Sequence, residues 1–206
     1  HAEAAAAYAH ARELRPQPYY EATHHLGLAL LAVARQGEFQ DGDTDGETGG
    51  AAGGSPREVL HRAASVLRQA AAMRPADPTA RHEYASALGS IGTTHAQAAR
   101  FADAARYFRR ALLLAPTNAQ LYRSLANALH DEGRGGRHAA RALAALETAV
   151  RLDPSDAHAV NELRAARLRR AATRTGGWSR GIEQAVRAEV DADAAVRVRP
   201  QAEPAF

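Results

Sequence analysis

The sequence has no cysteine, which excludes disulfides, cysteine nucleophiles and thiolate metal ligands. Aromatic residues make up only 5% of the chain, and the β-branched runs that would indicate strands are missing. No segment approaches the roughly 18 consecutive apolar residues of a membrane-spanning helix. These absences exclude a disulfide framework, an all-β fold and membrane insertion.

Lysine is also missing, so all 26 basic residues are arginine, and the formal net charge is only +3. A balance this small does not indicate nucleic acid as a partner. Neither end carries a secretory signal, so a cytoplasmic location is the default expectation. The chain begins inside a helical pattern at His1 without Met, and we expect further sequence before it. Abundant Ala, Leu and Arg favour helices throughout.

One pattern recurs four times: Ala, a large apolar residue four positions on, Ala after three more, and Pro after five more. Its instances are Ala4-Tyr8-Ala11-Pro16, Ala63-Leu67-Ala70-Pro75, Ala104-Phe108-Ala111-Pro116 and Ala142-Leu146-Ala149-Pro154. Offsets of four and seven place these side chains on one helix face, and the Pro follows the helix end. Small Ala residues let a neighbouring helix approach closely, so the pattern predicts packed helix pairs.

A second helical segment precedes three of these helices. Each segment carries Leu followed by a small residue, at Leu26-Gly27, Leu88-Gly89 and Leu125-Ala126. Together the two patterns resemble the tetratricopeptide repeat (TPR) family. The resemblance implies an all-α fold: an α-solenoid of antiparallel helix pairs in a right-handed superhelix, closed by a terminal capping helix.

Residues 1–175 are expected to form the repeat array, with a flexible acidic insertion at 41–55. The stretch FQDGDTDGETGG in this insertion contains the D-x-D-x-D-G opening of a calcium loop, but position 12 is Ala52 and not the bidentate Glu. We therefore interpret the insertion as a connector. Residues 176–206 are expected to form a short amphipathic helix and a poorly ordered tail.

In the family, the first helices of the pairs line a concave groove that holds a peptide. The resemblance places Arg123 and Asn127 one turn apart on this groove, with His130 following, like half of a clamp for a carboxylate. The candidate groove residues are His24, His82, Arg123, Asn127, His130, His158 and Asn161. The expected partner is an acidic segment of another protein, with Arg123 as the central contact.

A basic run near the C-terminus has two open interpretations, a patch for an acidic partner or the solvated face of the closing helix. Its members are Arg164, Arg167, Arg169, Arg170 and Arg174.

No nucleophile, phosphate-binding or metal-ligand motif is recognisable, and the ten histidines lack metal-ligand spacing. We therefore expect no enzymatic activity, metal, cofactor or small-molecule substrate. The alternative function is an accessory TPR segment of a larger enzyme, of glycosyltransferase or hydroxylase type, whose catalytic domain lies outside this chain.

Overall fold

A computed structural model of the chain describes residues 1–13, 19–40, 55–133 and 138–174. This part of the chain is folded into α-helices, without a strand. The helices are α1 (Ala2–Glu13), α2 (Tyr20–Gln40), α3 (Pro56–Met73), α4 (Pro78–Gln97), α5 (Phe101–Leu114), α6 (Ala119–Glu132), α7 (Ala139–Leu152) and α8 (Ala157–Arg174). None of these helices is long and apolar enough to cross a membrane.

Each helix packs chiefly on the next one in the chain, which is the arrangement of a helical solenoid. The pairs are α2 with α3, α4 with α5, and α6 with α7, while α1 packs on α2 and α8 on α7. The first helices of successive pairs also touch, α2 with α4 and α4 with α6. The first helices therefore form the concave side of the array, and α3, α5 and α7 form the convex side.

The helix boundaries follow capping signals in the sequence. A capping box precedes α3: the Glu58 backbone N–H donates to Ser55 Oγ at 3.3 Å, and the Ser55 N–H donates to Glu58 Oε2 at 3.0 Å. The carboxylate of Asp77 caps α4 by accepting from the Thr79 N–H at 2.8 Å. Pro at the first turn of both α3 and α4 fixes their start.

The repeated Ala positions lie at the helix contacts, as the pattern predicts. Ala63, Ala70, Ala104 and Ala111 are fully excluded from solvent. The core has two clusters, one built from α1 to α4 and the other from α4 to α8. Tyr84 of α4 packs against both clusters and therefore links them, as Tyr107 of α5 also does.

The sequence pattern chose the wrong glycine in α4, the first helix of the pair α4 and α5. A Cβ on Gly27 would lie 2.6 Å from Leu67 of the paired helix, and one on Gly92 would lie 2.7 Å from Phe108. Gly89 instead faces Leu121 of the following pair. The small residue at which α4 contacts its paired helix is thus Gly92. Helix α4 has 20 residues and α6 has 14, and the extra residues of α4 lie before the repeat pattern.

The boundary of the insertion also needs a correction. The expected range was 41–55, but Ser55 is the cap of α3 and α2 extends to Gln40. The expectation of a flexible connector concerns residues 41–54, which lie outside the described residues. The expected amphipathic helix and tail at 176–206 lie outside them as well.

Candidate binding groove

A polar recess lies on the concave side, where α2, α4 and α6 meet. Arg35, near the end of α2, reaches across to α4, and its Nη2 donates to Ser86 Oγ at 2.9 Å and to Ser90 Oγ at 3.2 Å. Its side chain remains exposed. These two bonds fix a guanidinium at the mouth of the recess.

The walls of the recess carry hydroxyl and amide groups. The lining residues are Arg35, Ser86, Gly89, Ser90, Thr93, Phe108, Asn118, Gln120, Leu121 and Ser124. No carboxylate is among them. A serine oxygen that accepts from Arg35 keeps its own O–H available as a donor. The recess therefore offers a cation and several donors, which suit an anionic or carbonyl-bearing ligand.

Two predicted groove residues, Arg123 and Asn127, face the last described helix and already have acidic partners. Arg123 Nη1 lies 3.5 Å from the carboxylate of Asp156, and both side chains are largely buried. Asn127 Nδ2 donates to Glu162 Oε1 at 3.1 Å. The structure places both residues between α6 and α8, with their polar groups engaged inside the chain.

The other predicted groove residues are spread along the array. His24 stacks on Tyr20 with ring centroids 5.4 Å apart, and His130 Nδ1 lies 3.2 Å from Asp131 Oδ1. His82, His158 and Asn161 are exposed, as is His130. No hydrogen bond, ion pair or ring contact in the described ranges joins any two of the seven candidates, so the array does not bring them to one point.

One edge of the concave side is held by a network around Tyr20. Its hydroxyl donates to Asp77 Oδ2 at 2.8 Å, and this bond holds the pKa of Asp77 below its usual range. Burial and the same bond raise the pKa of Tyr20. The Arg74 guanidinium lies over the Tyr20 ring at 3.8 Å and binds Glu21 at 2.7 Å. This network joins the ends of three helices and is structural.

The basic run lies on α8. Arg167 Nη2 is 3.3 Å from Glu147 Oε1 of α7, and Arg164 and Arg170 also have partners within the chain. Arg169 is exposed, and Arg174 is the last residue of α8. The run is thus partly used to attach α8 to its neighbour.

Sequence reasoning missed Arg35, Ser86 and Ser90. Counting from the correct small residue of α4 would have found the two serines. Ser86 lies six residues before Gly92, and Ser90 lies two residues before it. In α6 the same distances before Ala126 lead to Gln120 and Ser124, which also line the recess. Arg35 carries no such signal, since it follows the repeat motif of α2. No set of three His, Asp or Glu side chains in the described part of the chain is placed to bind a metal ion.

The fold and the groove define a TPR-type α-solenoid with an open polar concave face. No protein-family model and no curated protein matches the chain. Among solved structures, it is similar to MamA from Desulfovibrio magneticus RS-1 (17% identity, 84% of this chain and 77% of that chain, TM-score 0.44). It is also similar to the first TPR of Spaghetti (RPAP3) bound to an HSP90 peptide (18% identity, 68% of this chain and 89% of that chain, TM-score 0.42). A third similar structure is TTC0263, a TPR protein of Thermus thermophilus (20% identity, 72% of this chain and 63% of that chain, TM-score 0.41).

Proposed function

We propose that the protein is an interaction scaffold whose concave groove binds a segment of a partner protein, with an acidic group of that segment seated at Arg35. One observation carries the proposal. The recess between α2, α4 and α6 combines a guanidinium with hydroxyl and amide groups and has no carboxylate among its lining residues.

The chemistry at Arg35 suits a carboxylate. A guanidinium has five N–H donors in a planar fork, and the two serine contacts both use the Nη2 nitrogen. The N–H groups on Nη1 and Nε remain, and each can donate a charge-assisted hydrogen bond to a carboxylate oxygen. Because the serines hold the guanidinium in place, less side-chain entropy is lost when the partner binds.

The role of Arg123 as the central contact stays a prediction, and Arg35 takes first place in this proposal. A partner carboxylate at Arg123 would have to displace Asp156 from a largely buried pair. Asp156 also caps α8 by accepting from the His158 N–H at 3.0 Å, so it is held where it is. Arg123 and the candidate histidines therefore act as secondary contacts along the groove.

The experiment is a screen of peptides that differ in the number and placement of carboxylates, followed by titration at two salt concentrations. Arg35→Ala should weaken binding of the best peptide by about tenfold or more, since a hydrogen bond to a charged group contributes about 1.5–3 kcal/mol. Affinity should fall as salt rises. Arg123→Ala should cause a smaller loss.

Arg81→Ala is the matched control, because Arg81 is an exposed arginine of α4 that does not line the recess. It should bind like the wild type. Equal affinity of Arg35→Ala and the wild type, or a preference for uncharged peptides, would contradict the proposal. The alternative of an accessory segment in a larger enzyme stays a prediction.

A further inference from the structure

Charge is divided unevenly between the two faces of the array. The convex helices α3, α5 and α7 contain eight arginines and three acidic residues, which gives them a net charge of +5. The concave helices α2, α4 and α6 contain three arginines and five acidic residues, a net charge of −2. The small net charge of the whole chain therefore hides a basic convex face.

Six exposed arginines define this face, and we name them the convex arginines. They are Arg62 and Arg68 of α3, Arg109 and Arg110 of α5, and Arg141 and Arg151 of α7. Within the described residues, none of them has an ion-pair partner. Arg106 is excluded from the set, because it pairs with Asp103 at 3.5 Å. Arg57 of α3 is also exposed but is left out, because its charge acts on His61 and His95.

Two of the convex arginines follow the repeat between α3 and α5, whereas α7 has Glu147 at the corresponding position. Arg68 and Arg109 each lie five residues after the buried Ala of their helix, Ala63 and Ala104. They therefore occupy the same place on successive pairs, whose helices are spaced about 8–10 Å apart at each contact. The positive charge is spread across the face and is not gathered at one point.

An apolar side chain stands within this basic surface. Leu113, at the end of α5, is 84% exposed and follows Arg109 by one helical turn. An isolated exposed leucine needs no explanation by itself. Beside arginines without an ion-pair partner, however, it combines the two features by which proteins dock on anionic bilayers, electrostatic attraction and shallow burial of an apolar group.

We propose that the convex face docks on an anionic membrane surface, with the convex arginines at the lipid headgroups and Leu113 entering the interface. The positive charge is distributed over three helices, which suits an extended anionic surface. Single-stranded nucleic acid is disfavoured, because the ring of Tyr107 on α5 is already stacked on His95, with ring centroids 5.1 Å apart. Docking of this kind leaves the concave groove open to its partner.

The test is sedimentation of the protein with vesicles of phosphatidylcholine alone and with vesicles that also contain phosphatidylglycerol. Wild type should bind only the anionic vesicles, and high salt should release it. The double variant Arg68→Ala/Arg109→Ala should bind about 30-fold more weakly, from the usual contribution of a basic residue near such a surface. Leu113→Ser should weaken binding about three- to tenfold.

The matched pair Arg109→Glu and Arg81→Glu separates a docking face from net charge alone, since both variants change the same charge at an exposed helical arginine. Arg109→Glu should lose binding and Arg81→Glu should keep it. Equal losses in the pair, equal binding to neutral vesicles, or displacement from anionic vesicles by a short DNA duplex at lower concentration than free lipid would each overturn the proposal.

Discussion

Ala99, between α4 and α5, has a φ of 55°, a left-handed conformation that favours glycine. It ends α4 in a Schellman motif, because the Arg100 N–H donates to His95 O at 2.8 Å and the Ala99 N–H donates to Ala96 O at 2.9 Å. The hydrogen bonds impose the left-handed backbone, and the Cβ of Ala99 opposes it.

Ala99→Gly should therefore stabilise the protein by about 0.5–1 kcal/mol, because glycine relieves the backbone strain at this position. The measurement is urea unfolding followed by circular dichroism. Ala98→Gly is the control, since Ala98 has an ordinary negative φ of −80° and should lose stability on substitution. A loss of stability in Ala99→Gly would show that the helix ends differently.

His95 is the second residue of interest, because it is buried between α4 and α5. Burial, aided by the nearby Arg100, lowers the pKa of His95, and Asp103 offsets only part of this effect. Burial and the charge of Arg57 lower the pKa of His61 in the same region. Both rings are therefore neutral in the folded state at pH 7.

The protein should lose stability as the pH falls below the ordinary histidine value of about 6.5, because the unfolded chain then binds protons that the folded chain rejects. Above that pH this contribution is fully present. His95→Phe should reduce the pH dependence of the unfolding midpoint, because it removes the buried imidazole. An unchanged slope in His95→Phe would refute the assignment.

Single residues differ in how far the sequence predicts them. The capping box at Ser55 could be predicted because all its atoms lie within four consecutive residues. The pairing of Arg123 with Asp156 could not, because it joins residues 33 positions apart and depends on how α6 and α8 are spaced. The recess at Arg35 was missed for the same reason.

At the scale of helices, the repeat pattern predicted each helix pair, since Ala spacing and Pro boundaries are local signals. It did not predict where the extra residues fall. The Pro-to-Pro distance from Pro75 to Pro116 is longer than in the family because α4 is extended at its start. An extension keeps the helical period, so the period alone does not show at which end of the helix the extra residues lie.

The corrected register predicts different effects at two glycines of α4. Gly92→Ala should destabilise the protein by about 1–3 kcal/mol, because the new methyl group would lie 2.7 Å from a ring carbon of Phe108. Gly89→Ala should be nearly neutral, since it meets only the flexible end of Leu121 at 3.0 Å and alanine favours the helix. Thermal unfolding of both variants measures this difference in stability. A larger loss in Gly89→Ala than in Gly92→Ala would support Gly89 as the contact residue, as the sequence pattern first indicated.

At the scale of the whole molecule, the long acidic insertion should leave the array unaffected. Calcium should not change the melting temperature, because the sequence has Ala52 where a calcium loop needs its bidentate Glu. Deleting residues 42–54 should likewise cost little stability, since loop-closure entropy varies slowly with length. Calorimetry and thermal melts with and without calcium give the answer. A rise of several degrees with calcium would identify a metal site.

The division of the core into two clusters has a mechanical consequence. Helices α1 to α3 belong to one cluster and α5 to α8 to the other, and α4 contributes to both, with Tyr84 and Tyr107 as the shared side chains. Under tension applied to its two ends, the array should separate first at the boundary between the two clusters, because few side chains pack against both of them. The array should therefore lengthen in distinct steps, with the boundary between the clusters opening before either cluster unfolds.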